Sequence, residues 1–327
     1  MVDATGQSQS SGAASVSEVL RGAPSNWGKW GPDDEVGGLN YLDADEAVEA
    51  ARLVRSGKSF TLQLPMANPG GEPVWPGRQS ALRFMNFDKS DYDAGIAPLV
   101  PGGLEYADDY LTCFLQGSTQ CDALAHMWFD NTCWNGYSAY LTVGRLKKAS
   151  VAPIAQHGIV GSAVLLDFPR FWNVEALEPG RPIYFADMMD CAQAQDVTIE
   201  ERDVVIVRTG WLQRFFRMDS VEFYADYNEP GLAYSSELVK FFQDMEIPML
   251  VTDTLANEVT RDPSTGFSCT LHGALMRNLG VIFTEAADLE NLAADCAVDR
   301  QYRFMFVAAP LNVMGAAGSP VNPVVIK

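Results

Sequence analysis

The chain has 327 residues, 47% of them hydrophobic and 20% charged, an ordinary globular composition that argues against global disorder. With 23 Lys and Arg against 42 Asp and Glu, its formal charge is -19, which makes nucleic acid and anionic membrane poor partners. No segment reaches the run of about 20 apolar residues that crosses a bilayer, and the start "MVDATGQSQSSGAASVSEVL" lacks the basic and then apolar pattern of a secretory leader, so a cytoplasmic protein is expected.

In chain order, residues 1–20 are rich in Ser, Gly, Ala and Gln and are expected to be a mobile tail, with 21–327 forming one catalytic domain. In "DADEAVEAARLVRSG", Asp43 is placed to cap a helix, Glu46 follows three residues on, and Gly57 is expected to stop it. Strands are expected in "SFTLQL" (59–64), "AVLLDF" (163–168), "DVVIVRT" (203–209), "IPMLVTD" (247–253), "GVIFTE" (280–285) and "RFMFVAA" (303–309), several of them buried on both faces. "SSELVKFFQDME" (235–246) reads as a Ser-capped amphipathic helix and "CTLHGALMRNLG" (269–280) as a second that ends at Gly280. The class is α/β with mixed sheets and no clean doubly wound alternation. Six cysteines (Cys113, Cys121, Cys133, Cys191, Cys269, Cys296) lie scattered without a C-x-x-C pair, and are read as reduced and mostly buried.

The stretch "LQGSTQCDALAH" (115–126) is unusual because it gathers polar groups where a strand should enter a core. Gln116, Gln120, Asp122 and His126 fit neither a strand period nor one helical face throughout, so Gly117 is expected to turn the backbone. A strand ending at Leu115, a Gly-Ser-Thr turn and a short following segment would let the four side chains converge at the end of a strand, where α/β proteins place ligands. The plainer reading leaves the glutamines satisfying loop amides and His126 an ordinary hydrogen-bonded histidine. His272 in the first turn of its helix and Glu285 at the end of the next strand point to the same edge, whereas His157 reads as a surface residue.

The stretch resembles the signature H-x-G-T-H-x-D-x-P-x-H of the cyclase family, which includes bacterial kynurenine formamidase and isatin hydrolase. It matches at Thr119, Asp122 and His126 and keeps a turn glycine at Gly117. "SNWGKWGPDDEVGGLNYLDADEAVEAARLVRSGKSF", "GIVGSAVLLDF", "DVVIVRTGW", "TDTLANE" and "AAPLNVMGAAGSPVNP" extend the resemblance from about Ser25 to Pro323. It implies a swivelling β/β/α fold, a homo-oligomer (dimer or tetramer), and metal-dependent hydrolysis of cyclic or aryl amides and lactones. Carried over, the metal-binding roles fall on Gln116, Gln120, Asp122, His272 and Glu285, and the catalytic roles on His126, Glu285, Asp122 and His272. The motif's Thr119 and the aromatic Trp128 and Trp134, with Trp27 and Trp30 by family analogy, are the candidates to bind a flat cyclic or aromatic small molecule.

Two family histidines are glutamines here. Amide and carboxylate oxygens suit Mn²⁺ or Mg²⁺ better than Zn²⁺, or the paired amides replace the ion and polarise a substrate carbonyl in a metal-free site. Three functions stay open: hydrolysis by metal- or His126-activated water, a lyase or isomerase that moves protons with His126 and Glu285 and consumes no water, and a non-catalytic small-molecule binding protein.

Overall fold

A computed structural model describes residues 15–327 of the chain. Local chemistry starts its elements where capping rules put them. Asp43 accepts from the backbone N–H groups of Asp45 and Glu46 and opens helix Ala44–Ala51, and Ser235 accepts from Leu238 N–H at 3.1 Å to open Ser236–Asp244. The first helix stops at Ala51 rather than running to Gly57, because Arg52 already caps its last carbonyls. The expected tail to residue 20 falls partly on residues 1–14, which lie outside the described residues. Beyond them, Val16–Val19 is a short helix and Leu20 is buried.

The apolar runs assemble one nine-stranded mixed sheet in the order Ser59–Thr61, Val324–Ile326, Arg303–Ala308, Ile159–Asp167, Val204–Arg208, Met249–Thr252, Ile282–Glu285, Gln120–Asp122, Gly318–Pro320. The four strands from Ile159–Asp167 to Ile282–Glu285 are mutually parallel, and every other pairing in the sheet is antiparallel. Covered on both faces, the parallel strands carry no polar alternation. Val204, Val205, Ile206 and Val207 are all fully buried, each stabilised by about 1.5–3 kcal/mol relative to exposure.

The parallel strands end together, so Asp167, Arg208, Thr252 and Glu285 share one edge of the sheet. Since Gln120–Asp122 runs the opposite way, it enters the sheet at that edge, with Gln120 in register with Glu285. The strand expected to end at Leu115 belongs elsewhere: Asp108–Thr112 pairs with Leu82–Phe87 in a separate two-stranded hairpin that leaves Leu82, Phe84, Tyr110 and Leu111 exposed. After it, Gly117 N–H donates to the Phe114 carbonyl at 3.1 Å and the chain turns into the sheet.

The segment read as an ordinary helix, 269–280, is a π-helix over His272–Leu279, buried along its whole length and closed by Gly280 at φ 77°. Such winding is rare and frequently marks functional sites. All six cysteines are free thiols, four of them buried. Among the described residues, no helix is long and apolar enough to cross a membrane.

Candidate active site at the carboxyl edge of the parallel strands

Placing Gln120 and Asp122 on one strand two residues apart puts both on the same face, while Cys121 turns into the core. Opposite them stands Glu285, the last residue of the neighbouring strand. Gln120 Nε2 donates to Glu285 Oε2 at 2.5 Å, and Asn257 Nδ2 lies 3.4 Å from Oε1. His272, in the first turn of the π-helix, brings Nε2 to 3.4 Å from the same Oε1. Asp122, His272 and Glu285 each offer a ligand atom within 4.8 Å of the others, and all three are buried.

A second carboxylate fixes the imidazole. Glu258 Oε1 lies 2.7 Å from His272 Nδ1, and its two oxygens also accept from the backbone N–H groups of Leu271 at 2.8 Å and His272 at 2.9 Å. A carboxylate holding one ring nitrogen this way orients the other towards the cluster. Burial works against a charge on this ring, but Cys269, Glu258 and Glu285 outweigh it and hold its pKa well above the usual histidine range. Glu285 is likewise pushed up, to about 7, by burial first and then by the Asp122 charge, against the pull of His272 and Arg78.

The hydrogen-bond ledger does not close. Both carboxylate oxygens of Asp122, Gln120 Oε1 and Asn257 Oδ1 are buried with no partner. An unmatched buried acceptor costs about 1–3 kcal/mol, and more when charged, so the orphaned Asp122 oxygens beside His272 and Glu285 call for a cation or a proton donor. The carboxylates of Asp122 and Glu285 and the Gln120 amide, with the His272 nitrogen, make an oxygen-rich set that fits a hard divalent ion. Because Gln120 spends its nitrogen on Glu285, it turns its oxygen to this space, and it is therefore an acceptor here and not a donor for a substrate oxygen.

The other motif residues divide. Gln116 sits at the margin: a methyl built on Gly318 would come within 2.8 Å of its Nε2 and 3.2 Å of Asp122 Oδ1, so these two side chains lie over the same bare glycine. His126 is partly buried in the same field. Burial, His272 and Arg78 lower its pKa and Asp122 opposes them, leaving it below the usual histidine value. Thr119 is not free to meet a substrate, since its hydroxyl donates to the Ala286 carbonyl at 2.6 Å and accepts from Leu64 N–H at 2.9 Å.

The tryptophans go elsewhere. Trp27 stacks on Arg277 and donates to the Arg277 carbonyl, Trp30 packs on Tyr41 and Trp134, and the fully buried Trp134 donates to Asp34 and lies against Gly280. Gly280 closes the π-helix whose first residue is His272, so Trp134 packs at the end of that helix away from the cluster, and the structure places Trp27, Trp30 and Trp134 in core packing rather than in the substrate-binding role expected of them. Trp128 is exposed, and so is His157.

Four groups near the centre were missed: Arg78, Asn257, Glu258 and Glu229. Asn257 and Glu258 stand in "TDTLANE", directly after a buried strand, a position that by itself marks them. Glu229 is buried; its Oε1 accepts from Leu255 N–H at 2.7 Å and its Oε2 has no partner among the described residues. Arg78 lies on a loop with no periodic signal.

The Cyclase family model matches residues 60–259 of the chain. No curated protein sequence matches it. Among solved structures, a novel cyclase is 33% identical with a TM-score of 0.84, covering 93% of this chain and 98% of its own. Isatin hydrolase A from Labrenzia aggregata, bound to benzyl benzoate, is 17% identical with a TM-score of 0.55, covering 88% of this chain and 98% of its own. An isatin hydrolase bound to the product analogue thioisatinate is 16% identical with a TM-score of 0.58, covering 87% and 99%. These last two likenesses are of fold.

Proposed function

This chain belongs to the cyclase family, and from that premise we propose that it is a hydrolase that opens a cyclic amide or lactone, or splits an aryl formamide, with water. One observation carries the reading: Asp122 Oδ1, Asp122 Oδ2 and Gln120 Oε1 are buried without partners beside His272 and Glu285. Asp122, His272 and Glu285, with the Gln120 amide oxygen, would hold a divalent ion, Mn²⁺ or Mg²⁺ in preference to Zn²⁺. Such an ion supplies Lewis acidity, and lowers the pKa of a bound water to about 7 in favourable sites.

The chain's own residues do the remaining work. His126, whose lowered pKa leaves it neutral at pH 7, accepts a proton from the attacking water and returns it to the departing nitrogen or oxygen. Glu258 keeps the His272 ring from rotating, so its Nε2 stays on the cluster. Asn257 and Gln120 hold the Glu285 carboxylate from two sides.

The test is turnover of a panel of cyclic amides, lactones and aryl formamides in H₂¹⁸O. The reading expects ¹⁸O in the new carboxylate and proton release. In the same assay His126→Ala should lower kcat by about a hundredfold or more with its circular dichroism unchanged. Product without ¹⁸O would instead identify a lyase or isomerase, and a ligand that raises Tm with no product would identify a binding protein.

A further inference from the structure

We propose that Arg78 anchors a carboxylate carried by the substrate, so that the site takes an anionic ring or aryl compound; this rests on the hydrolase reading above. Arg78 is held by a turn legible in its own four residues, Trp75-Pro76-Gly77-Arg78. Its N–H donates to the Trp75 carbonyl at 2.9 Å, and Gly77, at φ 95° after a proline, occupies the position that a type II turn reserves for glycine. The loop is tied from within by Glu72, 4% exposed, whose oxygens accept from Asn68 N–H at 3.4 Å and Ala81 N–H at 2.9 Å.

The guanidinium is thereby presented to the motif. Arg78 Nη1 donates to the Gln116 carbonyl at 2.7 Å, and among the described residues no carboxylate lies within ion-pairing distance of it. In a chain with 42 acidic residues against 23 basic ones, that vacancy does not come from a shortage of acids. The Gln116 side chain lies with Asp122 over the bare Gly318, so the arginine that holds the Gln116 carbonyl stands beside the reacting centre. Of its five N–H donors the carbonyl takes one, which leaves a fork for a bidentate carboxylate. Trp75 packs edge-on against Tyr227 at 5.5 Å and lies on Leu64, Leu255 and Ala286, a wall for a flat ring next to the cation. A substrate carboxylate entering beside Asp122, Glu258 and Glu285 would be repelled, and the guanidinium beside Gln116 offsets that repulsion.

Calorimetric titration of the full chain with benzoate and with benzamide, after EDTA treatment and again with Mn²⁺, tests this. Benzoate should bind at least tenfold tighter than benzamide under both conditions. Arg78→Met should weaken benzoate by about tenfold to a hundredfold and leave benzamide unchanged, while Arg78→Lys should keep part of the preference. For two ring-opening substrates that differ only by a carboxylate, Arg78→Met should raise KM for the acid alone. Equal binding of benzoate and benzamide by the unaltered chain overturns the proposal, as does a preference that survives in Arg78→Met or that depends on Mn²⁺. That comparison stands even where a variant does not fold. Failure of the hydrolase reading looks different: neither ring substrate takes up ¹⁸O, while the benzoate preference remains.

Discussion

At the scale of single residues, Asp122 governs the site because it is the group whose situation is least tolerable without a ligand. It is fully buried, both oxygens lack donors, and it shares its small volume with Glu285. Mn²⁺ at about a hundred times its Kd should add about 2.7 kcal/mol to the stability of the unaltered protein. Asp122→Asn removes a charged ligand and should abolish that gain, read as the Tm difference between Mn²⁺ and EDTA in thermal melts. An Asp122→Asn protein that gains as much from Mn²⁺ as the parent would show that the orphaned oxygens do not face an ion. The tryptophans teach the opposite lesson: aromatic residues eight positions beyond His126 read equally well as ring binders or as core, and the hydrogen bond from Trp134 to Asp34 decides for core.

At the scale of elements, the site depends on one strand being bare. Gly318 faces Asp122 across the ladder, and a methyl group there would meet the Cys121 carbonyl at 2.9 Å as well as the Gln116 amide at 2.8 Å. The backbone carbonyl cannot swing aside, so the strand must shift and carry Asp122 with it. Gly318→Ala should therefore cost about 1–3 kcal/mol in stability and lower turnover at least tenfold, measured by denaturant melts alongside the ring-opening assay. Normal activity in a Gly318→Ala protein would mean that the Gln116–Asp122 arrangement tolerates displacement. The π-helix belongs to this scale too: it begins at His272 beside Glu285 and ends at Gly280 beside Trp134, joining the reactive end of the sheet to the aromatic core at the other.

At the scale of the whole molecule, an acidic chain that buries carboxylates should show it in its pH dependence. Burial above all, with the charges of Glu285 and Asp253, pushes the Glu229 pKa up to about 8 against the Leu255 N–H and Tyr227, from an ordinary 4.5. Between those two values the folded chain keeps a proton that the unfolded chain has released, so stability falls as pH rises from about 4.5 to about 8. Glu229→Gln cannot ionise and keeps the acceptor for Leu255 N–H. Its Tm relative to the parent should climb steadily from pH 5 to pH 8, and a flat or declining difference would show that Glu229 is ionised across that range in the fold.

The sequence by itself determined six strands of the nine-stranded sheet and the caps at Asp43 and Ser235, and it singled out Asp122, His272 and Glu285, which the fold brings together, because hydrophobic period, capping chemistry and motif order are local properties. It could not determine which way Gln120 turns its amide, since that depends on Glu285 arriving in register from a strand 165 residues later. Nor could it reach Arg78, or remove Trp27, Trp30 and Trp134 from the pocket. Those outcomes rest on which side chains meet across the edge of the sheet, and only the packing of distant segments brings them together or holds them apart.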